Sequence, residues 1–187
     1  MNAIRNRHFK ETHLLIENQF IKMINAAQKK ISIRDICNCC NINRSTFYEH
    51  FESIDELMDT VMLHLFGGVF ETINPLDMRD GDHPISLELF RSIIDIIYEN
   101  RAVFSYCVAN TNYVHMQKNT DYLIKDILLP EIKKYIDLPE EDLQYYYAFL
   151  SSGFLSVITR WIENGCSEST EYISLILFRA MPLIKQQ

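Results

Sequence analysis

The chain has 187 residues, 48% of them apolar and 23% charged, with a net charge of −7. These proportions suit a globular chain with a real core and argue against disorder. Only ten residues are Gly or Pro, too few turn formers for a many-stranded sandwich, so long helices are expected. No apolar run approaches the roughly 18 residues of a membrane span; the richest, Val61 to Phe70, is broken by His64 and a Gly pair. Arg5 and Arg7 precede no apolar block with a cleavage site, so a cytoplasmic location is expected. There the five cysteines, an odd number, would be reduced thiols. Charge is unevenly spread. Residues 1–50 carry eight Lys/Arg and four Asp/Glu, whereas residues 51–187 carry ten and twenty-one. A basic head on an acidic body suggests that only the head meets a polyanion.

In chain order, Phe9 to Ala27 predicts an amphipathic helix, with Ile16, Phe20, Met23 and Ala27 at helical spacing and Lys29 and Lys30 at its C-terminal end. Ser32 is a good N-cap, with Asp35 three residues on in the place of a capping-box Glu. Ile33, Ile36, Cys37 and Cys40 give this second helix a short apolar face, and Asn41 suits the left-handed position that ends it. A third helix starts at Asn43 or Arg44 and runs through Phe51. Helix, tight turn and helix within about 20 residues is the size of a helix-turn-helix. Ser53 and Glu56 form the next capping box, opening a fourth helix from Ile54 to about Phe70.

Asn74-Pro75 through His83-Pro84 holds Pro, Gly and three Asp, and is expected to be a surface loop. Ser86 to Asn100 follows as a helix with Leu89, Ile93, Ile96 and Ile97 inward, and Ala102 to Ala109 as another. Asp121 to Ile136 predicts a helix kinked or broken at Pro130. The helix from Glu140 to Asn164 has Gly165 as its natural C-cap, and Ser167 or Ser169 caps a last helix ending before Pro182. The 140–164 helix carries a bulky stripe of Leu143, Tyr147, Leu150, Phe154, Ile158 and Trp161, and a small-residue stripe of Ala148, Ser152, Ser156 and Thr159. The small stripe admits a closely packed second helix, from a partner chain or from within; otherwise it faces solvent.

Ile31 to Leu57 reads ISIRDICNCCNINRSTFYEHFESIDEL, and it resembles the DNA-binding head of TetR-type bacterial transcriptional regulators. The most specific part is Ser45-Thr46-Phe47-Tyr48-Glu49-His50-Phe51. Tyr98-Glu99-Asn100-Arg101 and Trp161-Ile162-Glu163-Asn164-Gly165 are similar to one branch of that family. The resemblance implies an all-α protein with a helix-turn-helix head, residues 1–53, and a helical effector-binding and dimerisation body, residues 54–187. It implies a homodimer on a palindromic duplex DNA operator, a small-molecule effector, no membrane partner, no cofactor and no metal. It carries base contact to Arg34, Arg44 and Ser45, and backbone contact to Ser32, Thr46, Tyr48 and His50. Asn43 joins them as a polar residue at the groove end of the recognition helix. Phe47 and Phe51, four apart, would lock that helix to the head's core. The sequence departs from the family where a phosphate-binding Lys commonly opens the fourth helix: Ile54 stands there. Asn41 replaces the turn Gly, and Glu49 and Glu52 bring negative charge toward the duplex.

Other features admit two interpretations. Cys37, Cys39 and Cys40 suit a thiol sensor or a soft-metal site, but equally a small packed helix face with one exposed thiol. Tyr98, Tyr106, Tyr147 and Trp161 suit an effector pocket, or simply fill a helical core. No His-Glu-x-x-His pair, phosphate loop, nucleophile elbow or Gly-rich dinucleotide turn is present, so no enzyme is expected. The leading expectation is a homodimeric repressor released by an effector. The alternative is an interaction protein of the same fold, acting through another regulator with weak DNA binding of its own.

Overall fold

A computed structural model describes residues 2–26, 30–72, 86–110, 116–117, 120–121, 123–134 and 139–180. Among these every regular element is helical. They are α1 (Asn2–Ala26), α2 (Ile33–Cys40), α3 (Arg44–His50), α4 (Ile54–Thr72), α5 (Leu87–Glu99), α6 (Arg101–Asn110), a π-helical stretch (Leu123–Leu128) running into α7 (Leu129–Lys133), α8 (Glu140–Glu163) and α9 (Thr170–Ala180). The expected loop at 74–84 and Pro182 lie outside the described residues, as do Ala27 and Lys29.

Local chemistry explains most boundaries. Ser32 Oγ accepts from the Asp35 N–H at 3.3 Å while Asp35 Oδ2 accepts from the Ser32 N–H at 3.0 Å, a complete capping box. Asn41 takes the left-handed conformation at φ 53°. The Ile42 N–H then reaches Cys37 O at 3.0 Å and the Asn41 N–H reaches Asn38 O, the paired bonds that satisfy a helix's last carbonyls. The same closure recurs after α8. There Gly165 has φ +70°, the Cys166 N–H reaches Trp161 O at 2.8 Å and the Gly165 N–H reaches Ile162 O. Ser53, Ser86 and Ser169 each accept a backbone N–H three residues ahead. The expected break at Pro130 takes the form of the π-helical stretch just before it. A proline has no N–H to donate to the preceding turn, and a wider turn absorbs that loss.

Two expectations are corrected. The first helix begins at Asn2, not Phe9; the added turns are mostly polar in sequence, and Arg7 Nε pairs with Glu11 Oε1 at 2.8 Å across one of them. Its buried stripe runs Ile16, Phe20, Ile24 instead of passing through Met23, which is half-buried.

Helices α1, α2 and α3 close around Ile16, Phe20, Ile36, Phe47 and Phe51. α1 also packs on α4 and α6, so the head's central helix touches the body directly. In the body, α5 packs along α9 and against α4, and α6 packs on α8. Trp161 is buried, and its Nε1–H donates to Glu168 O at 3.0 Å, pinning the turn between α8 and α9.

Candidate nucleic-acid interface

The short helix α3 owes its position to two aromatic side chains. Phe47 and Phe51 are completely buried, and each contributes on the order of 1.5–3 kcal/mol by burial. With that face turned inward, Arg44, Ser45, Tyr48 and Glu49 are exposed and Thr46 is half-exposed. Asn43 is the N-cap residue, but its side chain makes no cap hydrogen bond and remains unused by the helix. Arg34, on the outer side of α2, is exposed too. Neither Arg34 nor Arg44 enters an ion pair with another described residue.

Ser32 is exposed but committed to its cap, since its hydroxyl also donates to Asp35 Oδ2 at 2.6 Å. His50 differs from the other expected contacts. Its ring packs on Phe9, with centroids 4.1 Å apart, and lies 5.6 Å from His13; its Nδ1 is buried with no partner among the described residues. Burial, then the neighbouring His13 and His8, hold its pKa below the ordinary histidine value. His50 therefore seats the end of α3 on α1. Ile54 packs half-buried on the core, where no cation can stand in for it without desolvation.

The cysteines divide as packing would have them. Cys37 and Cys40 are buried and Cys39 is exposed. Burial, then the adjacent Cys39 and Cys37, push the Cys40 thiol up to about 11, and burial raises Cys37 as well. Among the described residues no group of three His, Cys, Asp or Glu is arranged to hold a metal ion.

The four expected pocket aromatics occupy different surroundings. Tyr98 is partly exposed, lies flat against Trp161 at 6.1 Å between centroids and carries the Arg101 guanidinium 4.8 Å above its ring. Tyr147 is half-buried; burial, then a hydrogen bond to Asp121, push its phenol up to about 12. Tyr106 is buried where head meets body, and its hydroxyl accepts the Ile31 N–H at 3.2 Å across 75 residues of chain. It lines a cleft of about 740 Å³ between α1, α6 and the end of α8, with Ile24, Asn25, Arg101, Ser105 and Ile162.

On α8, Ala148, Ser152 and Ser156 are exposed as a row. Thr159, expected with them, is only 3% exposed. A helix turns 100° per residue, so the three-residue step from Ser156 rotates Thr159 inward. The row is flanked by Tyr145 and Phe149, 71% and 70% exposed. Sequence reasoning missed these two as surface residues; Phe149 stands four after Tyr145 and three before Ser152, a helical spacing that was available to find them.

No helix among the described residues is long and apolar enough to cross a membrane. No curated protein matches the chain. The family model TetR_C_8, described as "Transcriptional regulator C-terminal region", matches residues 86–182, just over half the chain. The fold is similar to the crystal structure of a TetR transcriptional regulator from Streptococcus agalactiae. That match has a TM-score of 0.66 and 20% identity, and covers 96% of this chain and 98% of that one. It is also similar to the dihydroxyacetone kinase operon activator DhaS, with a TM-score of 0.62 and 17% identity over 90% of this chain and 92% of that one. With a helix-turn-helix head in front of the matched region, the chain belongs to the TetR family of transcriptional regulators.

Proposed function

We propose that the protein is a homodimeric, sequence-specific DNA-binding regulator whose α3 enters the major groove. One observation carries this reading: Arg34, Arg44, Ser45 and Tyr48 are exposed on α2 and α3, with both arginines unpaired among the described residues, while Phe47 and Phe51 anchor the helix beneath them. Unpaired guanidinium groups on a braced helix suit bidentate contact with guanine edges. In this reading Arg44 and Arg34 read bases, aided by Asn43 and Ser45. Tyr48 and Thr46 hold phosphates, Ser32 orients α2, and His50 positions α3 from behind.

The exposed row Ala148, Ser152 and Ser156, flanked by Tyr145 and Phe149, serves as the dimer face, joined by Tyr172 and Ile176 of α9. Two heads must then sit about 34–36 Å apart to read successive major grooves. The 740 Å³ cleft is the proposed effector site, within the usual size of about 300–1,000 Å³ for small-molecule pockets. A ligand there touches α1 and α6 together, so it bears directly on how the head is held.

Repression with effector release is the leading mode. An activator or partner-assisted mode is favoured by two facts: DhaS is named as an operon activator, and Glu49, Glu52 and Ile54 thin the positive charge beside the recognition helix. The test is enrichment of random duplex DNA by the purified protein at moderate salt. A palindrome with half-sites one turn apart supports the dimeric DNA-binding reading. A folded, ligand-free protein that enriches nothing refutes autonomous DNA binding and leaves the partner-assisted mode.

A further inference from the structure

The cleft of about 740 Å³ beside Tyr106 has a wall whose chemistry changes along its length. Arg101, Ala102, Ser105, Tyr106, Ala109 and Asn110 of α6 all line it, and their steps of one and three residues keep to a single helix face. From Arg101 to Asn110 that face rises about 13 Å, at roughly 1.5 Å per residue. Charge stands at one end of it. Arg101 opens α6 and Glu99 closes α5, with Asn100 between them, and both charged residues line the cleft. Beyond them the surface is largely apolar: Ala102, the Tyr106 ring and Ala109, with buried Ile24 of α1 and Ile162 of α8. The far end of α6 carries only a neutral amide, that of Asn110.

Arg101 is held in place without being neutralised. Its Nη1 donates to Tyr98 O at 3.1 Å, and its guanidinium lies 4.8 Å above the Tyr98 ring. Its charge reaches the cleft: burial raises the thiol of Cys166, a lining residue, and the Arg101 charge opposes that rise. A guanidinium fixed by stacking still presents N–H groups in the fork that matches a carboxylate. Neither Arg101 nor Glu99 has an ion-pair partner among the described residues, and both are exposed. An unpaired cation and an unpaired anion close together at the end of an apolar trough suit a molecule that carries both charges on one carbon. A ligand with only an amine meets the like charge of Arg101, and one with only a carboxylate meets that of Glu99. A peptide parts its two charges by the length of its backbone, whereas here both lie at one end.

We propose that the cleft takes a free α-amino acid with a large, mainly apolar side chain. Its carboxylate sits on Arg101, its ammonium on Glu99, and its side chain runs along α6 over Ile24 and Ile162. This inference rests on reading the cleft as the effector site. The side chain passes Tyr106, whose hydroxyl holds the Ile31 N–H, so occupancy is felt where α6 ties to the head.

The test is calorimetric titration of the full chain with L-tryptophan, and separately with indole-3-propionate and tryptamine, which keep the ring but lack the ammonium or the carboxylate. L-tryptophan should bind more tightly than either half-molecule. Arg101→Gln should weaken L-tryptophan by about 5–20-fold, a charge-assisted contact reduced by exposure, and erase its advantage over tryptamine. Glu99→Gln should weaken it by about 2–5-fold, the range of an exposed pair, and erase its advantage over indole-3-propionate. Both residues are exposed, and thermal melting verifies that the variants fold; if Arg101→Gln does not, the half-molecules on wild type decide. L-phenylalanine and L-methionine extend the comparison to other side chains. No binding of any of the three amino acids overturns the proposal. So does a half-molecule that binds as tightly as L-tryptophan, or amino-acid binding that survives Ser105→Trp, which fills the cleft. A half-molecule that binds equally well and is lost in Ser105→Trp leaves the effector-site reading standing. An amino acid that binds in the cleft without changing operator affinity refutes that reading and leaves the site.

Discussion

Replacing Tyr106 with Phe removes one oxygen and leaves the ring that fills the junction of head and body. The lost group is the acceptor for the buried Ile31 N–H, 3.2 Å away. No cavity term enters, because the ring volume is unchanged. What remains is a buried backbone donor without its partner, which costs about 1–3 kcal/mol. For a chain of this size each kcal/mol lowers the melting temperature by about 2–4 °C, so Tyr106→Phe should melt about 2–12 °C below wild type. Tyr98→Phe is the control. The Tyr98 ring packs on Trp161, and among the described residues its side chain makes no polar contact apart from the Arg101 guanidinium over the ring face, so that change should stay within about 0.5 kcal/mol. Calorimetry or urea unfolding of both variants gives the comparison. A Tyr106→Phe protein as stable as Tyr98→Phe would refute the claim that this hydrogen bond fastens the head to α6.

Arg44→Ala should cost about 1–3 kcal/mol on the selected operator and much less on unrelated duplex, measured by fluorescence anisotropy; equal losses on both would make Arg44 a phosphate contact. Ser152→Arg, in the centre of the exposed α8 row, should convert a dimer to a monomer in analytical ultracentrifugation, and an unchanged mass would remove this face from the interface. Thiol labelling at pH 8 should be fast at Cys39 and slow at Cys37 and Cys40, because a Cys40 pKa of about 11 leaves about one thiolate in a thousand at that pH. The buried thiols should speed up as pH rises toward that value; rapid labelling of all three in native protein would contradict the packing.

What the sequence disclosed was chiefly short-range. Ser32 with Asp35, Asn41, Ser53 with Glu56, and Gly165 declare helix ends because capping is settled within four or five residues. The inward pair Phe47 and Phe51 was legible from spacing for the same reason, and with it the exposed edge of α3. The extension of α1 to Asn2 carried no apolar stripe, so periodicity was silent there. Thr159 fitted a small-residue pattern by composition, yet one turn of rotation buries it. Tyr145, Tyr146 and Tyr147 stand together in sequence, but the helix sends the first to solvent and the other two partly inward. The packing of His50 on Phe9 beside His13, and of His64 on Glu17, depends on how α1, α3 and α4 cross, and no local pattern encodes that crossing.

Among the described residues two side-chain bonds tie the head to the body across long stretches of chain, His64 of α4 to Glu17 of α1 and Tyr106 of α6 to Ile31. A third tie is the joint itself, where Ser53 accepts the Glu56 N–H and the Glu56 carboxylate accepts the Glu52 N–H. While all three hold, the head has no free hinge. One tie must open before the head can be displaced, and the ties left closed then set the pivot. A ligand in the cleft beside Tyr106 would act on one tie alone, leaving the head to turn on its anchorage to α4.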